Sequence, residues 1–124
     1  MRPERSARVG GAGADSLDGG TGSDVFLFTA ASDSTASARD SIVGFTRGQD
    51  RIDLSLIDAN TGTTGNDAFA FIGTGAFSGV AGQLRYSTTS AGTLIQADTN
   101  GDRVADFELM IKSNYQPIAA DFLL

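Results

Sequence analysis

The chain contains no cysteine and no histidine. Without cysteine there is no disulfide and no thiolate metal site. Without histidine there is no Ser-His-Asp triad and no Cys-His pair, and the usual zinc sites are excluded as well. Tryptophan is absent, and there are only 2 Pro. No apolar run approaches the ~20 residues that would span a bilayer, so no stable membrane insertion is expected. Positive charge is scarce too: 9 Lys and Arg stand against 15 Asp and Glu, a net charge of −6. No basic stripe is available to neutralise phosphates, which argues against a nucleic-acid partner. Residues 1–9 carry Arg2, Glu4, Arg5 and Arg8 and no apolar segment, so they do not form a Sec signal peptide. They read as a disordered tail, a linker remnant or a misplaced start.

What is present is glycine and aspartate in a fixed rhythm. Residues 10–27 read GGAGADSLD and then GGTGSDVFL, the nine-residue pattern G-G-x-G-x-D-x-U-x twice in phase. This is the pattern of the calcium-binding repeats of RTX proteins. In each repeat six loop residues offer oxygen ligands. Three strand residues, with Leu17 or Phe26 inward, carry the chain to the opposite edge of a flattened helix. Calcium takes about six to eight oxygens. Gly10, Gly11 and Gly13, and likewise Gly19, Gly20 and Gly22, permit the positive φ that turns carbonyls inward. Asp15 and Asp24 add charged oxygens. Each loop supplies half a coordination shell, and the other half comes from the loop two repeats away. Asp33 continues the spacing of nine set by Asp15 and Asp24. The loop 10–15 is therefore predicted to face a degenerate loop ending at Asp33. A Ser-Asp-Ser turn accounts for Asp33 equally well. The loop 19–24 needs a partner from further on, and Asp40 and Asp50 are the nearest candidates. Such carboxylate-rich loops should be loose without metal.

Beyond Asp33 the pattern turns to alternating β. Residues 40–45 (DSIVGF), 51–54, 68–72, 83–86, 93–97 and 104–112 read as strands. Residues 87–92 (STTSAG) read as a hairpin loop, and residues 54–59 as one short helical turn. The fold class is all-β, with enough apolar residues (40 % of 124) for one modest core. A second acidic cluster holds Asp98, Asn100, Asp102 and Asp106, with oxygens at the first, third, fifth and ninth positions of an open calcium loop. It lacks a bidentate Glu at position twelve, where Leu109 stands. An Asn-Gly hairpin turn with flanking acids is the favoured reading of these residues, and calcium the weaker one. No acid pair is singled out for acid/base work, and GGTGSD lacks the Lys-Ser/Thr ending of a phosphate loop.

From about residue 10 to 124 the chain resembles the C-terminal region of serralysin-type secreted metalloproteases. The resemblance is carried by the nonapeptides, by DVFLFTAASDSTASARDSIVGFTRGQDRIDLS, by AGQLRYSTTSAGTLIQADTNGDRVADFELMI and by the terminal DFLL. It implies a short parallel β-roll (10–33) running into a β-sandwich-like cap (34–124). It also implies Ca2+ in the roll, with Asp40 and Asp50 closing the last site. Asp121, Phe122, Leu123 and Leu124 become part of an uncleaved export signal read by a type I exporter, and an upstream catalytic domain becomes a partner. Two departures stand out: Gly44 replaces an acid expected before Phe45, and Arg103 stands where Gly is common. The H-E-x-x-H zinc helix of the protease is missing. The expectation is a non-catalytic, calcium-dependent folding and secretion module of an extracellular protein. Two alternatives are a polysaccharide-binding RTX module, which the lack of Trp and the mere 2 Tyr weigh against, and a split part of a metalloprotease.

Overall fold

The computed structural model describes residues 5–9, 16–18, 23–28, 34–35, 39–45, 49–62, 67–112 and 116–124. Among these, regular structure is β apart from one 3-10 turn at Ala119–Asp121. The fold is all-β. The first five strands are β1 (Arg5–Val9), β2 (Ser16–Asp18), β3 (Ser23–Leu27), β4 (Asp40–Val43) and β5 (Arg51–Asp53). They alternate between two sheets: β1, β3 and β5 pair in parallel in one, β2 and β4 in the other. This is a roll. Arg5 pairs with Ser23, a shift of 18 positions, which is two nine-residue repeats per coil. The next coils are wider: Ser16 pairs with Ser41, a shift of 25, and Val25 with Arg51, a shift of 26. The surplus of seven lies in the connection into β4, which both coils share, and the connection into β5 adds one more.

Residues 5–9 were expected as a tail or linker, and the structure instead places Arg5–Val9 in a strand. The reason is a ready template, since β3 offers its backbone N–H and C=O groups along its full length.

The remaining strands are β6 (Ala70–Phe71), β7 (Gln83–Thr89), β8 (Gly92–Asp98), β9 (Phe107–Ile111) and β10 (Phe122–Leu123). They extend both roll sheets rather than forming a body apart. One sheet runs β1-β3-β5-β10, and the other β2-β4-β9-β8-β7-β6. The hairpin β7–β8 is tighter than the predicted STTSAG loop, with Thr89 opposite Gly92 and only Ser90 and Ala91 between them. The strand expected at 104–112 starts at Phe107, because the residues before it belong to an acidic turn. The turn expected at 54–59 is a single Ile57 N–H to Leu54 C=O bond of 3.0 Å.

The two sheets share one core. Phe26, Ile42 and Ile52 from the roll meet Leu84, Ile95, Phe107 and Leu109 from the later strands, all fully buried. Phe28 stands edge-on to Phe107, with ring centroids 5.2 Å apart. Burial of large apolar side chains stabilises by about 1.5–3 kcal/mol each, so roll and cap are energetically one body. Ser34 fastens the join. Its hydroxyl donates to the Glu108 carbonyl and accepts from Asp40 N–H at 2.9 Å, while its own carbonyl accepts from Glu108 N–H at 3.0 Å.

Candidate metal-binding edges and the acidic turn

The roll topology sorts the acids by edge. The connection from β1 to β2 and the connection from β3 to β4 lie on the same side of the roll, because each passes from the first sheet to the second. The connections from β2 to β3 and from β4 to β5 lie on the other. Asp40 opens β4 and Asp50 immediately precedes β5. Asp40 therefore stands where the chain enters the second sheet, and Asp50 where it returns to the first. Their expected pairing on one edge is corrected by the strand order. Counting by nine fails here because the two wider coils shift each acid forward.

The registers refine this. Ser16, which follows Asp15, pairs with Ser41, which follows Asp40. Val25, which follows Asp24, pairs with Arg51, which follows Asp50. Asp40 and Asp50 are both buried, at 0 % and 1 % exposure. Two carboxylates held out of water at the two edges of an acidic roll are costly unless opposite charge or hydrogen bonds compensate. With neither His nor Cys in the chain, the donor set is oxygen only, which suits a hard cation such as calcium. Asp24 lies in β3. Gly10, Gly11, Gly13, Asp15, Gly19, Gly20, Gly22 and Asp33 lie outside the described residues. Gly44, where the resemblance leads one to expect an acid, has φ 71, a backbone that favours glycine.

The second cluster is fully described. The carboxylate oxygens of Asp98, Asp102 and Asp106 lie within 4.8 Å of one another. Yet they already serve as acceptors for the turn. Asp98 is wholly buried; its Oδ1 accepts from Gly101 N–H at 2.8 Å and Asn100 N–H at 3.2 Å, and its Oδ2 from Arg103 N–H at 2.9 Å. Asp106 Oδ2 accepts from Thr99 N–H at 2.8 Å and Thr99 Oγ1 at 3.1 Å. Asp102 Oδ1 accepts from Val104 N–H at 2.9 Å, and Asn100 Oδ1 from Asp102 N–H at 3.2 Å. The arrangement is a turn stapled by its own acids, and a cation there would have to share oxygens that backbone N–H groups already occupy. Gly101 (φ 77) is required by this turn: a Cβ would stand 2.9 Å from the Gly79 carbonyl oxygen.

The terminal residues are structural as well. Asp121 is buried, and its Oδ2 accepts from Ile118 N–H at 2.8 Å. Phe122 packs 5.4 Å from Phe71, and Leu123 accepts from Leu54 N–H at 2.9 Å as β10 pairs with β5.

Sequence reasoning missed one polar ladder on the outer face of the larger sheet. Arg85 Nη1 donates to Gln96 Oε1, and Gln96 Nε2 donates to Glu108 Oε2 at 2.8 Å. Arg39 grips Glu108 Oε1 through Nε at 3.1 Å and Nη2 at 2.7 Å. Polar residues at alternate positions of adjacent strands were the available signal.

Among the described residues no helix is long and apolar enough to cross a membrane. Solved structures with this fold include the AlgE6R2 subunit of an Azotobacter vinelandii mannuronan C5-epimerase. It is 29% identical with a TM-score of 0.61, covering 95% of this chain and 70% of that one. The AlgE6R3 subunit is 25% identical with a TM-score of 0.59, covering 98% of this chain and 67% of that one. Curated relatives include Metallopeptidase AprA of Pseudomonas marginalis, 46% identical over 85 residues, and Metalloprotease AprA of Pseudomonas entomophila, 48% identical over 85 residues. Each alignment covers 66% of this chain but only 16% of the relative, so the chain spans a small part of those proteases. The family described as Peptidase M10 serralysin C terminal matches residues 6–124, nearly the whole chain. The roll, its alternating sheets and this match agree, and the chain belongs to the serralysin C-terminal family.

Proposed function

We propose that the chain is a non-catalytic, calcium-dependent folding and type I secretion module of an extracellular protein, placed after a catalytic domain such as a zinc protease. The observation that carries this reading is the alternation of β1 to β5 between two parallel sheets, with an 18-residue coil and a buried acid at each edge. Asp15 and Asp33 with Asp40 would hold metal on one edge, and Asp24 with Asp50 on the other. The glycines at 10, 11, 13, 19, 20 and 22 would add carbonyl oxygens. Bound there, calcium supplies the positive charge that offsets carboxylate repulsion. The chain's own residues do the rest: the loops narrow the roll, Leu17 and Phe26 turn onto the core, and Ser34 ties the roll to β9.

Extracellular calcium modules bind at about 10⁻⁴–10⁻³ M, so the sites fill outside the cell and not in the cytosol. An acidic chain of net charge −6 remains extended by self-repulsion until then. Asp121, Phe122, Leu123 and Leu124 would be read by the exporter while unfolded.

The test is circular dichroism on chelated chain titrated with calcium. A saturable gain of β-structure in the millimolar range is expected, together with bound calcium by metal analysis. No spectral change and no bound calcium overturn the reading. For export, a fusion of a passenger to this chain is co-expressed with a type I exporter, and Phe122→Ser with Leu123→Ser should abolish secretion. Because the chain is unfolded in the cytosol under this proposal, such a loss reports recognition rather than folding.

A further inference from the structure

The outer face of the larger sheet bears a pocket that calcium and export do not use. It is lined by Ala76, Phe77, Arg85, Gln96, Arg103 and Ala105, and its volume is about 340 Å³. That lies in the lower range of small-molecule sites. From this pocket we infer a binding site for a carboxylated glycan of the uronate type.

The two guanidiniums carry the argument. Among the described residues neither is paired with an acid. Arg85 meets only neutral oxygens: the Gly75 carbonyl at 2.8 Å, the Thr74 carbonyl at 3.5 Å and the Gln96 amide. Arg103 donates from its side chain only to the Ser78 carbonyl, at 3.3 Å. Each therefore keeps N–H donors available in the fork geometry that matches a carboxylate. In a chain with a surplus of acid, two unneutralised cations in one pocket are conspicuous. The nearby carboxylates are already engaged, Glu108 by Arg39 and Gln96, and Asp98, Asp102 and Asp106 of the Arg103 turn by backbone N–H groups.

The backbone adds an independent sign. Arg103 has φ 67, the one positive φ at a non-glycine among the described residues. An arginine in the left-handed region is strained, and such strain concentrates at ligand sites. Here it aims the side chain across Gly79, where a Cβ would meet Arg103 Nε at 3.1 Å.

The apolar half of the lining selects a glycan over a small inorganic anion. Phe77, with the Arg85 Cζ 5.9 Å from its ring centroid, stands with Ala76 and Ala105 beside the charges. A pyranose offers C–H faces to such a surface and its carboxylate to the arginines. The inference goes beyond the calcium module proposed above and does not depend on the metal-binding edges.

The test is a two-dimensional amide NMR titration of the whole chain with a mannuronate hexasaccharide at fixed millimolar calcium. Saturable shifts should centre on residues 76–77, 96 and 103–105 and weaken as salt is raised. Arg85→Gln and Arg103→Gln should each weaken binding about fivefold or more, the loss of one charge-assisted contact. Lys112→Gln, an equal charge change elsewhere, should not. Three results overturn the assignment: equal binding of a neutral cello-hexasaccharide, unchanged affinity in both arginine variants, or displacement of the hexasaccharide by equimolar inorganic phosphate. Two spectra recorded before sugar addition, one with calcium and one with chelator, report the calcium module separately. Dispersed signals only with calcium support it, and dispersed signals without calcium overturn it. The titration is read in either case.

Discussion

Asp58 shows how much one half-buried acid can do in a loop. Its Oδ1 accepts from Asp67 N–H at 3.0 Å and from Asn60 N–H at 3.1 Å. The Asp67 bond first, then the Asn60 bond, hold its carboxyl below the ordinary value of 3.8. Because the folded value is depressed, its stabilisation is present above the unfolded pKa and is lost as pH falls through the folded one. The wild type should therefore exceed Asp58→Asn in denaturant midpoint at neutral pH, and the gap should narrow below pH 3.8. Urea titrations of both chains across that range, at constant calcium, check this; a gap that is constant with pH contradicts it. Asp98 also accepts backbone N–H bonds, but inside the molecule, where its three contacts shape the whole turn.

At the scale of elements, the join between roll and cap rests on Ser34. Ser34→Ala removes an acceptor from buried Asp40 N–H and a donor from the Glu108 carbonyl. Leaving such groups unsatisfied costs about 1–3 kcal/mol each, so the variant should lose roughly 2–4 kcal/mol by chemical denaturation. The contact could not be read in the chain, because its partners are 74 residues apart and no local pattern joins them. The nonapeptides, by contrast, carry their own period, residues 51–53 alternate between polar and apolar, and residues 40–43 and 93–97 carry the β-branched Ile, Val and Thr that favour strands. Those elements were legible. Arg5–Val9 was not, since a short charged segment becomes a strand through the partner it meets, not through its own pattern. Asp40 was legible as a candidate ligand but not its edge, which depends on the length of two insertions. The pocket with Arg85 and Arg103 was hidden as well, as it draws on two strands and two loops.

For the whole molecule, one shared core means that metal bound at the roll should stabilise the cap as well. At calcium a hundredfold above its dissociation constant, one site adds about 2.7 kcal/mol by mass action. Lowering free calcium toward that dissociation constant should therefore lower a single cooperative melting transition, monitored by aromatic side chains far from the edges. Two separated transitions, with the cap unmoved, would refute the coupling.

The placement of β10 has a further consequence. Residues proposed as a label for the exporter finish inside the sheet, with Phe122 against Phe71 and Leu123 bonded to Leu54. Folding thereby erases the label. Transport so arranged is a ratchet: once the chain has closed on the far side, nothing remains displayed for the machinery to grip, and the journey has only one direction.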